Sequence, residues 1–184
     1  RIGKLVKNVN CKKGLLHYGS GSVIRSGLLG RIKESLDASG VTYVELGGVV
    51  PNPRLSLVRK GIELCRKEGV DFLLAVGGGS VIDTAKAIGF GALYKGDFWD
   101  FFTGAAKIEK TLPVGVVLTI SAAGSEGSDS CVITQERGNL KWGCPKTDVI
   151  RPKFAVLNPR FTCSLPAYQT ASGAVDMMAH IMER

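Results

Sequence analysis

No apolar run approaches the length of a membrane span, and no charged-then-apolar secretory pattern is present. The expectation is therefore a chain with no membrane partner. No C-x-x-C pair occurs either. The five cysteines, Cys11, Cys65, Cys131, Cys144 and Cys163, are odd in number. That argues against a disulfide scaffold or a zinc ribbon, and a reducing, cytoplasmic setting is expected. Cys65 falls on an apolar helical face and reads as core. Basic residues are plentiful but never clustered. The net charge is +8, yet no run of Lys or Arg exceeds two, and aromatics do not interleave with them. A nucleic-acid partner is not expected; a basic, solvated surface is, and it would help attract a phosphate-rich ligand. Internal repeats and low-complexity tracts are also absent.

What is present is a chain of ordinary globular composition, 45% apolar and 22% charged over 184 residues. That length buries one good core and part of a second unit. The pattern alternates between strand and helix. Strands are predicted at Gly14 to Tyr18, Thr42 to Leu46, Phe72 to Val76 and Pro113 to Leu118. Two more are predicted at Cys131 to Thr134 and Phe154 to Leu157. Helices are predicted at Ser22 to Ala38, Arg54 to Glu68, Ser80 to Ile88 and Ala167 to Met182. Leu28, Leu29, Ile32 and Leu36 share one helical face, as do Leu57, Val58, Ile62 and Cys65. Gly69 reads as a C-cap. Tyr94 to Gly104 reads as a loop or short helix, and Gln135 to Gly143 as a hairpin connection. Strands that are apolar throughout and alternate with helices imply an α/β fold, with a mostly parallel, Rossmann-like sheet covered on both faces.

Ligands of such folds sit at the carboxyl ends of the strands. Three turns in that position are rich in small residues: Gly19-Ser-Gly-Ser22, Gly77-Gly-Gly-Ser80 and Ser121-Ala-Ala-Gly-Ser125. The second follows an apolar strand and opens a helix. Free N–H groups and the positive end of the helix dipole attract an anion there, and glycine permits close approach. The run is not G-x-G-x-x-G, because Ile82 stands where the third glycine would be. It is not a Walker loop, because Gly-Lys-Ser/Thr is missing. A tight structural turn alone would also explain three glycines. The set of three turns favours a nucleotide cleft. So do Ser80, Asp83 and Lys86, spaced at three along the helix to put one polar group per turn near one face.

Gly77-Gly-Gly-Ser-Val-Ile-Asp-Thr-Ala-Lys86, with Pro51-Asn-Pro53 before it and Gly173-Ala-Val-Asp-Met-Met-Ala-His180 after it, resembles the iron-containing (group III) alcohol dehydrogenase family. Tyr18-Gly-Ser-Gly-Ser22 and Asp97-Phe-Trp-Asp-Phe101 are most similar to its NADPH-dependent butanol dehydrogenase or aldehyde reductase branch. The resemblance covers essentially the whole chain. It implies a dinucleotide-binding α/β domain, here 1–163, followed by the start of a helical metal-binding domain, 164–184. The start at Arg1 and the stop at Arg184 within a helical pattern suggest a fragment.

The resemblance also implies roles. Gly78, Gly79 and Ser80 would contact the pyrophosphate, Asp83 would line the nicotinamide side, and Asn52 would approach the adenosine. Ser121 and Ser125 stand where the family often places Thr or Ser on the cofactor, and Lys141 matches a lysine on the ribose. Ser20 stands where NAD-dependent relatives carry Asp, and Arg25 follows nearby. Together these favour NADP(H) over NAD. Asp176 and His180 match two of four ligands for a divalent metal, Fe2+ or Zn2+. Their spacing of four places a carboxylate and an imidazole on one helical face. The family needs two further histidines, and the only other one, His17, lies in the first predicted strand.

The implied function is hydride transfer between NADP(H) and a short-chain alcohol or aldehyde, in an enzyme expected to be a homodimer. No side chain reads as a general base. As a fragment the chain is expected to be inactive alone. A glycerol dehydrogenase or dehydroquinate synthase-like relative and a non-catalytic nucleotide-binding module are the alternatives.

Overall fold

The computed structural model describes residues 1–163 and 165–183. Its centre is a five-stranded, wholly parallel sheet in the order β2-β1-β3-β4-β7. The strands are β1 (Lys13–Gly19), β2 (Thr42–Val49), β3 (Phe72–Gly77), β4 (Val114–Leu118) and β7 (Phe154–Leu157). The apolar strand runs are explained by two cores, one on each face. Alternate residues of β3 divide between them: Leu73 and Ala75 join one core, Phe72, Leu74 and Val76 the other. A strand with both faces covered has no polar side to show, so its sequence is continuously hydrophobic.

One face carries α1 (Ile2–Asn8), α2 (Ser22–Arg25) and α3 (Leu28–Asp37). The single helix expected over 22–38 is broken. α2 is capped at Ser26, and Gly27, with a left-handed φ of 70°, is the N-cap of α3. The apolar face Leu28, Leu29, Ile32 and Leu36 is buried as expected. The short helix α1 was not anticipated; its seven residues are too few for a periodic pattern to stand out, and it is held by packing of Val6 into the core.

The other face carries α4 (Leu55–Glu68) and α5 (Gly79–Ala92). Gly69 caps α4 with a left-handed φ of 65°, as expected. Cys65 is buried against this core. The aromatic segment after α5 forms α6 (Asp100–Thr103) and stacks against the helix, with Phe90 and Phe101 at 4.9 Å edge to face. The strand expected at 131–134 is β5 (Val132–Gln135). It is not part of the main sheet: it pairs antiparallel with β6 (Leu140–Gly143) in a separate hairpin that packs on α4 and α5. α7 (Ala167–Met182) ends the chain and buries none of its residues. Residue 164, the expected start of the second unit, lies outside the described residues. Among those described, no helix is long and apolar enough to cross a membrane.

His17 sits fully buried in β1, with Nδ1 2.7 Å from the Leu46 carbonyl and no partner for Nε2. Burial pulls its pKa down to about 4; the bond to Leu46 opposes this weakly. A folded-state value below that of the unfolded chain stabilises the fold above pH ~6.5. That stability is lost as pH falls through about 4. The loss should reach about 3 kcal/mol. Urea unfolding at a series of pH values should show this acid sensitivity in the wild type and a much flatter profile in His17→Asn. Equal slopes for the two would place the acid sensitivity elsewhere.

Candidate dinucleotide site

β3 delivers the chain to Gly77, and Gly78 is extended at the N-cap of α5 with no side chain capping the helix. The amides of Val81 and Ile82 turn back to the Gly78 carbonyl at 3.0 and 3.2 Å. The N–H groups of Gly79 and Ser80 therefore precede the first intrahelical bond and suit an anion. Space is tight at this point. A Cβ on Gly78 would lie 2.6 Å from Ile120 Cγ2, and one on Gly79 would lie 3.2 Å from both Ala123 Cβ and Ser125 Oγ. The third small-residue turn thus packs directly on the second.

A cavity of about 480 Å³ opens at these strand ends. Its walls are the turn Gly19 to Ser22, the turn Gly78 to Ser80, the segment Val49 to Pro51, and Ile120. Arg25 lines it too. Its guanidinium folds back over the first turn, 2.6 Å from where a Cβ on Gly21 would stand. A second cavity, about 490 Å³, shares Ser22 and Ile120 and adds Arg31 and Arg160. A third, about 310 Å³, shares Val50 and adds Arg54 and Lys60. The three form one groove across the carboxyl ends of the sheet. Among the described residues its lining includes five cationic side chains, and the Glu136 carboxylate bonds the lining residue Ser56. A predominantly cationic groove over a helix N-terminus suits a phosphate-bearing ligand.

The expected residues are distributed unevenly around it. Ser20, Gly78, Gly79 and Ser80 line the central cavity. Asn52 is exposed beside it, in a left-handed conformation with φ of 58°, next to the lining residue Pro51. Ser121 is exposed on the third turn. Ser125 is buried behind Gly79. Lys141 is exposed on β6, where it pairs with Thr134, and lines none of the three cavities. Arg31, Arg54, Lys60 and Arg160 were not singled out from the sequence. They come from three separate stretches of the chain, around 31, 54–60 and 160, and only the fold gathers them.

Asp83 and Lys86 do not form the polar face on α5 that their spacing suggests. Both are drawn inward by the 125–132 segment. Asp83 Oδ2 accepts from the Val132 amide at 3.0 Å, while Oδ1 has no partner. Burial raises the Asp83 pKa; bonds from Val132 and Ser125 and the charge of Lys86 oppose the rise. Lys86 is wholly buried. Its ammonium donates to the Ser128 carbonyl at 2.9 Å, the Ser128 hydroxyl at 2.9 Å and the Ser130 carbonyl at 3.0 Å. It is a strut that ties the segment Ser128 to Ser130 to α5.

Asp176 and His180 lie one turn apart on α7, with Nε2 3.9 Å from Oδ2 and both side chains exposed. Among the described residues no group of three or more His, Cys, Asp or Glu could hold a metal ion.

The chain is similar along its length to dehydrogenases. It is 44% identical over 182 residues to the NADH-dependent butanol dehydrogenase A of Clostridium acetobutylicum, spanning 99% of this chain and 46% of that protein. It is 39% identical over 173 residues to the NADPH-dependent aldehyde reductase of Escherichia coli, spanning 92% of this chain and 44% of that one. The crystal structure of NADH-dependent butanol dehydrogenase A from Thermotoga maritima superposes with a TM-score of 0.93 at 45% identity. That match covers 99% of this chain and 46% of the other. The chain therefore spans less than half the length of each of these relatives. The family profile of iron-containing alcohol dehydrogenases matches residues 1–159. With the parallel sheet, the glycine turn at the head of α5 and the cationic groove in place, the chain belongs to the iron-containing alcohol dehydrogenase family.

Proposed function

We propose that this chain is the dinucleotide-binding part of an alcohol dehydrogenase or aldehyde reductase. Its groove would hold NADP(H) in preference to NAD(H), for hydride exchange with a short-chain alcohol or aldehyde. The observation that carries this reading is the groove itself, with five cations among its described lining residues and a glycine turn that admits close backbone approach. Gly78, Gly79 and Ser80 would bind the pyrophosphate through N–H groups at the head of α5. Ser125 would act from behind, packing the third turn against the second, and Lys86 would hold the Ser128 to Ser130 segment that follows. Asp83 would lie towards the nicotinamide end, and Asn52 towards the adenosine. The bound nicotinamide supplies the hydride chemistry; the residues of this chain bind and orient it.

The metal part of the reading rests on Asp176 and His180 as two ligands for Fe2+ or Zn2+. They suit such an ion in kind but not in number, since a catalytic site commonly takes at least three protein ligands. α7, with Val175, Met177, Met178, Ile181 and Met182 exposed, would begin a separate helical unit. Those apolar side chains favour association, in line with a homodimer.

The preference for NADP(H) rests on Ser20 and Arg25. An acid at the ribose accepts from the 2′-hydroxyl of NAD and repels a 2′-phosphate. Here that turn carries a serine, and a guanidinium lies over it. The relatives divide: the butanol dehydrogenases are named as NADH-dependent, the aldehyde reductase as NADPH-dependent. Calorimetry with both cofactors should give tighter binding of NADP(H), and Ser20→Asp should shift the ratio towards NAD(H) by about tenfold or more. Tighter binding of NAD by the wild type would overturn the preference. Failure of both cofactors to bind would overturn the site.

A further inference from the structure

A pair of free cysteines closes the base of the hairpin on α5. Cys131 and Cys144 stand opposite each other one step beyond the pair Val132 and Gly143, at the open end of the hairpin. Their sulfur atoms are 3.4 Å apart. The Cys144 amide donates to the Cys131 carbonyl at 2.9 Å, and the Cys131 amide donates to Cys144 Sγ at 3.3 Å. Both residues are buried, Cys131 to 1% exposure and Cys144 to 5%. Directly opposed residues of antiparallel strands have Cα atoms about 4.5–5.5 Å apart, inside the range that a disulfide spans. The backbone therefore already has the spacing a bridge needs, and the sulfurs need only turn towards each other.

We propose that Cys131 and Cys144 form a redox-active dithiol that closes reversibly to a disulfide on reaction with a hydroperoxide. Cys144 is the attacking thiol. It accepts hydrogen bonds from the thiol and the amide of Cys131, and these bring its pKa down to about 7 against the opposing effect of burial. Cys11 and Cys65 are pushed up to about 12, chiefly by burial. A thiolate, not a thiol, is the nucleophile.

In the first step the Cys144 thiolate attacks one peroxide oxygen. The O–O bond breaks, the leaving oxygen takes up a proton, and Cys144 becomes a sulfenic acid. In the second, Cys131 attacks that sulfur. The S–S bond forms, the S–O bond breaks, and hydroxide leaves as water with the Cys131 proton. Two thiols and one hydrogen peroxide give one disulfide and two waters, and the two electrons come from the sulfurs. A small-molecule dithiol reverses the change. The flanking atoms are anchored to α5: Val132 through Asp83, and the Ser130 carbonyl through Lys86. The bridge would close the base of the hairpin beside that helix.

The test uses the chain with Cys11→Ser and Cys163→Ser, which leaves three of its five thiols. One equivalent of hydrogen peroxide should remove two of the three, with a mass loss of two hydrogens and a cross-linked peptide joining Cys131 to Cys144. Dithiothreitol should restore both. Adding Cys144→Ser should slow oxidation of Cys131 about tenfold or more. The unsubstituted chain mapped in the same way should give the same bridge, so the outcome does not depend on any variant folding. Three thiols retained after peroxide would overturn the proposal. So would sulfinic acid in place of the bridge, or oxidation of Cys131 at an unchanged rate without Cys144.

Discussion

Gly79→Leu should lose dinucleotide affinity by about 100-fold or more, close to 3 kcal/mol. Two effects act together. A leucine side chain at the first residue of α5 would occupy the space through which a pyrophosphate reaches the N–H groups of residues 79 and 80. It would also press on the third turn, since its Cβ alone would lie 3.2 Å from Ala123 Cβ and from Ser125 Oγ. Gly79 has no left-handed φ, so the effect is one of space and not of backbone strain. That predicts a graded series. Gly79→Ala adds only the Cβ, which neighbours can accommodate by shifts of a few tenths of an ångström, and it should lose less than Gly79→Leu. Overpacking should also lower stability by about 1–3 kcal/mol. Circular dichroism on each variant separates folding from binding. A folded Gly79→Leu protein that binds NADPH with wild-type affinity in calorimetry would refute the placement of the pyrophosphate.

Lys86→Met should lower the free energy of unfolding by about 2–4 kcal/mol. Methionine keeps the length and most of the volume of the side chain, so little cavity is created. What is lost is the donor. Three acceptors, two carbonyls and a hydroxyl, converge on the buried ammonium at 2.9–3.0 Å. Each hydrogen bond to a charged group contributes roughly 1.5–3 kcal/mol, and an acceptor left buried without a partner costs its desolvation. The opposing effect is relief of the charge burial that holds the Lys86 pKa below its usual value, helped by no full ion pair with Asp83. That relief is why the net loss is smaller than the three bonds taken singly. Because Lys86 lines no part of the groove, affinity of the folded variant should change by less than about tenfold. Chemical denaturation measures the first quantity and calorimetry the second. Unchanged stability would mean that the serine-rich segment is held by other contacts.

The main sheet was readable because burial on both faces leaves a mark in the chain. Phe72 to Val76 and Pro113 to Leu118 have no polar residue, and both became central strands, with one residue of adjustment at the ends. Phe154 to Leu157 and Ala167 to Met182 were placed without error. The break at Gly27 was not readable. Its neighbours keep a helical periodicity, and one glycine inside a pattern weighs less than the apolar face around it. β5 was found as a strand but not as part of a separate hairpin. Pairing partners depend on what α4 and α5 leave exposed, and local pattern does not record that.

The position of the glycine turn at the head of α5 follows from the order of residues alone. An apolar strand, three glycines and a helix leave the chain one way to put free N–H groups at the end of a sheet, and Gly78 and Gly79 stand there. The charge of the groove does not follow from the order of residues. Arg25, Arg31, Arg54, Lys60 and Arg160 are scattered over the chain and read as solvated surface. Parallel topology brings every strand-to-helix turn to the same edge, and so collects those five cations around one cleft. The role of Lys86 was likewise decided by packing. Spacing of three places it near Asp83 on one side of α5, but whether that side meets water or protein depends on the 125–132 segment. Three hydrogen-bond acceptors from that segment offset the cost of burying its charge.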